Sequence, residues 1–149
     1  MKEEQVTKAM LMWLLANEWA IVCYDFPQSG TGKSLHPNGR NEGKNKDAII
    51  PDIVAVRKGV CIFAENKNRF YYPDYEKQNS LINGDDYSDA IAALLAPYSV
   101  EKIYYGIGLP ITKHKQGSKD AAHLVDFILC VNEDRTVEVA YNPFDISFV

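Results

Sequence analysis

The feature that most constrains this chain is the placement of three charged residues, Asp52, Glu65 and Lys67, on two apolar runs joined by a short turn signal. The runs are Ile49-Ile50-Pro51-Asp52-Ile53-Val54-Ala55-Val56 and Val60-Cys61-Ile62-Phe63-Ala64-Glu65-Asn66-Lys67, with Arg57-Lys58-Gly59 between them. Apolar side chains fill consecutive positions in both runs. That is the pattern of strands buried on both faces, because a strand with one wet face alternates. The Arg57-Lys58-Gly59 stretch marks a turn. With Lys58-Gly59 as a two-residue turn, Arg57 pairs with Val60 and Asp52 lies across from Glu65, with Cβ atoms roughly 5 Å apart. Side-chain alternation then puts Lys67 on the face of Glu65. A three-residue turn with Gly59 left-handed shifts the register by one and needs a bulge to bring the charges back together.

Two carboxylates that close repel each other and are costly at a buried site without a neutralising cation. Mg²⁺ binds through one or two carboxylates and retains several waters. A neighbouring lysine can orient or deprotonate such a water, or offset charge on a phosphate. The alternative is a surface hairpin with an ordinary Glu65–Lys67 pair and Asp52 as a turn or cap residue. The unbroken apolar runs count against it.

Pro51, Asp52, Glu65 and Lys67, on apolar strands that follow an N-terminal helix and strand, resemble the signature of the PD-(D/E)xK nuclease superfamily. This is the fold of many restriction endonucleases, archaeal Holliday-junction resolvases and VRR-NUC nucleases. The resemblance implies a restriction-endonuclease-like three-layer α/β/α domain with a mixed central β-sheet. It implies Mg²⁺ or Mn²⁺ held by Asp52, Glu65 and the main-chain carbonyl of Asn66, with Lys67 activating or positioning the attacking water. The implied activity is metal-dependent hydrolysis of phosphodiester bonds in DNA. Glu3, on the apolar stripe of the first helix, resembles the accessory acid that several branches bring near the metal. Its bland reading is a favourable first-turn charge. Gln78, eleven residues past Lys67, resembles the glutamine on the helix after the Glu-x-Lys strand in VRR-NUC-like nucleases, or is simply a surface residue.

At 149 residues the chain reads as one α/β domain spanning 1–149, with the core over about 1–110 and a C-terminal β-hairpin extension over about 120–149. No apolar run reaches the length of a membrane span, and the Met-Lys-Glu-Glu-Gln start is not a signal peptide, so the expected location is cytoplasmic. Cys23, Cys61 and Cys130 lie in apolar stretches without metal-ligand spacing and read as buried free thiols. The net charge is −4, but residues 28–69 hold eight basic residues against four acids, and residues from 79 onward hold five against ten. Basic charge thus gathers around the candidate site, which fits one face turned toward phosphates and equally fits a randomly mixed surface. Lys33, Arg40, Arg69, Lys113 and Lys115 are the candidate nucleic-acid contacts, and Tyr71 and Tyr72 beside Arg69 are candidates to stack on a strand.

The expected elements are a helix over 2–18, strands over 20–26, 49–56 and 60–67, a helix from Pro73, and a second helix from Asp89 to about Leu95 capped by Asp85-Asp86-Tyr87-Ser88. A strand over 102–109, a basic loop over 111–119 and a hairpin over 124–131 and 136–140 complete the chain. Ser29-Gly30-Thr31-Gly32-Lys33-Ser34 invites a P-loop reading, but Pro27 stands where the first glycine belongs and Leu35-His36-Pro37 will not continue a helix. No nucleotide cofactor is therefore expected, and His36, His114 and His123 have no ligand spacing. A chain this small has no separate recognition domain, and cutting both strands of a duplex calls for a homodimer. The rival reading is a non-catalytic nucleic-acid-binding module or nuclease subunit on the same fold.

Overall fold

Lys58 and Gly59 both adopt left-handed backbone, with φ of 49° and 81°. This is the signature of a two-residue hairpin turn whose twist matches its strands. It fixes the pairing of β2 (Ile53–Arg57) with β3 (Val60–Asn66), from Arg57 opposite Val60 to Ile53 opposite Ala64, the register read from the sequence. The computed structural model describes residues 1–39, 47–114 and 118–149. Arg40 and Lys115 lie outside the described residues.

Six strands form one sheet in chain order. β1 (Ala20–Tyr24), β2 and β3 make an antiparallel meander. β4 (Lys102–Pro110) runs parallel to β3, β5 (Phe127–Val131) parallel to β4, and β6 (Val137–Tyr141) antiparallel at the edge. The crossover from β3 to β4 carries α2 (Tyr72–Asn83) and α3 (Ser88–Leu95). The next crossover carries α4 (Ile111–His114), α5 (Ser118–Ala121) and a short 3₁₀ turn. The fold is therefore mixed α/β around an open mixed sheet.

Helices cover both faces, and the strand pattern explains why. α1 (Glu3–Ala16) buries Val6, Ala9, Met10 and Leu14, and these pack against Ile53, Ala55, Ile62, Ala64, Phe127 and Leu129. The intervening residues Val54, Val56, Cys61 and Phe63 face the other way, onto Ile91 and Leu95 of α3. Tyr75 of α2 completes that layer against Ile107, Leu109 and Ile128. Both faces of β2 and β3 are thus buried, as their unbroken apolar runs predict. Cys23, Cys61 and Cys130 are buried free thiols.

Several expectations are corrected. β2 begins only at Ile53. Pro51 has no N–H to give a ladder, and upstream of it Ile49 forms an isolated bridge with Leu35 while Ile50 is exposed. The N-cap of α3 is Tyr87, within the expected Asp85–Ser88 stretch, but the stretch supplies no side-chain cap bond. Asn38, from the loop after β1, accepts the Asp89 N–H at 3.0 Å and donates to the Asp85 carbonyl. The 111–119 stretch contains helical turns rather than a plain loop. The C-terminal hairpin forms, but it is not peripheral. All five residues of β5 are buried, and Phe148 lies in the core beside Trp13, Trp19 and Phe127.

Gly108 marks the tightest approach of α1 to the sheet. A Cβ there would run into Met10 Sδ and Asn66 Oδ1. Gly108→Ala is expected to lower stability by about 1–3 kcal/mol through overpacking, measured by urea unfolding.

Candidate active site

Asp52 sits one residue before β2 and is held from two sides. Its carbonyl accepts the Asp25 N–H at 2.9 Å, which ties it to β1. Its Oδ2 accepts the Asn66 N–H at 2.7 Å, which ties it to β3. Continuing the register past Ile53–Ala64 sets Asp52 opposite Glu65. The two carboxylates lie close enough at the end of the hairpin for the charge of Glu65 to raise the Asp52 pKa.

Glu65 points to the α2 face, where its Oε1 receives the Lys77 ammonium at 3.0 Å. Asn66 points to the α1 face, where it is buried and donates through Nδ2 to Thr7 Oγ1 at 3.0 Å. That bond seats the first turns of α1, and Glu3, four residues before Thr7 on the same helix face, reaches Lys67 at 3.5 Å. Lys67 keeps its backbone in the ladder through a bond to the Gly108 carbonyl, and its Nζ lies 5.1 Å from the centre of the Tyr71 ring. Glu65 and Lys67 share a neighbourhood, but the ion pairs run Glu65–Lys77 and Lys67–Glu3.

α2 contributes three polar residues at i, i+3 and i+4: Asp74, Lys77 and Gln78. Gln78 is buried, not a surface residue, and its Nε2 donates to the carbonyls of Phe63 and Gly106 at 3.1 and 2.8 Å, clamping β3 to β4. Asp74 is buried, and its Oδ2 has no hydrogen-bond partner among the described residues. The sequence reading missed Asp74 and Lys77. Their i, i+3, i+4 spacing with Gln78 on a helix following the Glu-x-Lys strand was the available signal.

The other candidates are placed as follows. Arg69 is exposed with its guanidinium 5.2 Å from the Tyr71 ring centre, and Lys113 is half-buried on α4. Lys33 is exposed in the loop after β1, and no helix follows it. There the Thr31 hydroxyl donates to the Tyr24 carbonyl at 2.8 Å, so the segment is a folded loop without the helix start a phosphate cradle needs.

The electrostatics are unbalanced toward acid. Burial, and then the charge of Glu65, raises the Asp52 pKa to about 8. Burial raises Glu65 as well, opposed by Lys77. Burial and the charge of Glu65 bring Asp74 to about 6. Burial works against the Lys67 ammonium, but Asp74 and Glu3 outweigh it, so the Lys67 pKa rises. Lys67 is thus held as an ammonium, suited to orienting a ligand or supplying charge rather than accepting a proton.

Among the described residues, no group of three or more His, Cys, Asp or Glu side chains is placed to hold a metal ion. The available donors are the carboxylates of Asp52 and Glu65 and the Asn66 carbonyl, within the carboxylate count that Mg²⁺ accepts while keeping its waters. Two carboxylates that both resist ionisation are a pair that a divalent cation would relieve. A cavity of about 580 Å³ between α2, α3 and β4 reaches Lys77 but is not lined by Asp52 or Lys67. The carboxylates instead lie at the end of the sheet where β3 and β4 finish. No protein-family model matches the chain, and no curated protein matches it in sequence.

The raised carboxylates give a signed pH dependence. Unfolded carboxylates release their protons near pH ~4, whereas folded Asp74 and Asp52 do so at about 6 and about 8. Their contribution to stability is therefore full below about pH 4 and is lost as the pH rises from about 4 to about 8. Asp52→Asn is expected to flatten the fall in Tm over that window. Added Mg²⁺ or Mn²⁺ at pH ~8 should raise the wild-type Tm and leave the variant nearly unmoved.

Proposed function

We propose that this chain is a metal-dependent deoxyribonuclease of the PD-(D/E)xK type on a restriction-endonuclease-like fold. The observation that supports the reading is the register of the β2–β3 hairpin, which ends at Ile53 opposite Ala64, next to Asp52 and Glu65, with Lys67 two residues further on. The element order supports it: α1, an antiparallel meander, a helical crossover and a parallel strand, with helices on both faces.

In this reading Asp52, Glu65 and the Asn66 carbonyl hold Mg²⁺ or Mn²⁺. When bound, the ion supplies Lewis-acid polarisation of a phosphodiester and neutralises the two acids. Lys67, kept as an ammonium by Asp74 and Glu3, orients the water or phosphate and adds positive charge as negative charge develops. Lys77 holds Glu65 in place, and Gln78 keeps the end of β3 fixed against β4. These groups are set before substrate arrives, and that preorganisation is where most of the rate comes from. DNA is the expected partner, and cutting both strands of a duplex would require a homodimer. The non-catalytic module remains the rival, favoured by the pairing of Lys67 with Glu3 instead of with Glu65.

Cleavage of supercoiled plasmid with Mg²⁺ or Mn²⁺ against EDTA tests the proposal. Metal-dependent nicking or linearisation is expected, reduced on the order of a hundredfold or more by Lys67→Ala. No cleavage of plasmid, single-stranded or branched DNA would leave the binding-module reading. Asp52→Ala should abolish cutting while retaining or tightening DNA binding in a gel-shift assay, because it removes a negative charge; normal cutting by this variant would overturn the metal assignment.

A further inference from the structure

We infer that the nucleic acid this site accepts is an unpaired strand, held by aromatic surfaces on both sides of the carboxylates. This deepens the nuclease reading and rests on it for the identity of the ligand. The first surface follows directly from β3. Tyr71 and Tyr72 are 39% and 46% exposed. The Lys67 ammonium and the Arg69 guanidinium stand 5.1 and 5.2 Å from the centre of the Tyr71 ring. Rings and cations are thus interleaved at the mouth of the site. The second surface lies beyond Asp52. The bond from the Asp25 N–H to the Asp52 carbonyl, 2.9 Å, brings Phe26 beside the start of β2. The Phe26 ring stacks on Tyr24 at 6.0 Å and has the Lys8 ammonium 5.1 Å from its centre.

The charge at this end of the sheet argues for bases rather than for duplex backbone. A duplex offers only its phosphates and groove edges, so its binding relies on many uncommitted Lys and Arg side chains. Here three of the described lysines are already committed to acids: Lys67 to Glu3, Lys77 to Glu65 and Lys8 to Glu4. The chain as a whole carries −4. An unpaired strand needs less cationic surface, because each exposed base has a face that stacks on an aromatic ring whatever its identity. Arg69 against Tyr71 extends that stacking plane.

The test is binding without metal, so that it is read independently of cleavage. Fluorescence anisotropy in EDTA compares a fluorescein-labelled single-stranded oligonucleotide with a duplex of the same length. The single strand is expected to bind at least about tenfold more tightly, with Tyr72→Ala weakening it about tenfold and Tyr72→Phe, which keeps the ring, binding as wild type. Equal or tighter duplex binding, or wild-type affinity in Tyr72→Ala, overturns the inference. The same oligonucleotides are then offered with Mn²⁺. Cutting of the duplex alone overturns the inference and keeps the nuclease reading. Tyr72-dependent single-strand binding with no cleavage of either supports the strand site and removes the nuclease reading.

Discussion

Asn66 is the residue on which the geometry of the candidate site depends. Its N–H is bound by the Asp52 carboxylate, its side-chain amide by Thr7 of α1, and its backbone lies opposite Gly108 in β4. Three elements are therefore indexed to one position on β3. The cost is an Oδ1 buried without a hydrogen-bond partner among the described residues, a penalty of about 1–3 kcal/mol. Such a penalty persists where the surrounding packing overdetermines the side chain, and here Met10 Sδ and Gly108 close against it.

Once β3 is fixed, the charges arrange themselves as two crossed pairs instead of one compact cluster. Glu65 faces α2 and meets Lys77, while Lys67 leans over the end of the sheet to Glu3 on the opposite layer. Asp52 lies near both pairs, and the Asn66 N–H and the charge of Lys77 offset its burial and the charge of Glu65 only in part. Negative charge therefore exceeds positive at the very point where both helical layers and the central sheet meet. Burial and mutual repulsion there make the carboxylates reluctant to ionise, and a cation bound between them would relieve that cost.

How much of this was legible in the sequence varies with the range of the interaction. The hairpin register followed from Lys58-Gly59 and the apolar runs, because a two-residue turn leaves one pairing open. The burial of both faces followed from the lack of alternation. The missed features are those in which distant segments meet. Asn38 caps α3 across about fifty residues, and neither segment signals the other. Asp74 and Lys77 look like ordinary helix-surface residues until α2 is laid on the sheet, where Asp74 is buried and Lys77 finds Glu65. β5 looked like an extension because its hairpin partner β6 is exposed, yet its parallel pairing with β4 makes it part of the interior.

The last residues of the chain also bear on the order in which the site is built. Trp19 donates its indole N–H to the Phe148 carbonyl, Arg57 reaches the Ser147 carbonyl, and Ile146 and Phe148 share a core with α1. The Asp52–Glu65 apposition needs only a short local loop and can form early, since closing it costs little entropy. Seating α1 is different, because its floor is finished by Ile146 and Phe148, far from it along the chain. The carboxylate pair is thus a product of local chemistry, whereas the Glu3–Lys67 contact that completes it depends on a packing of α1 against segments more than a hundred residues away.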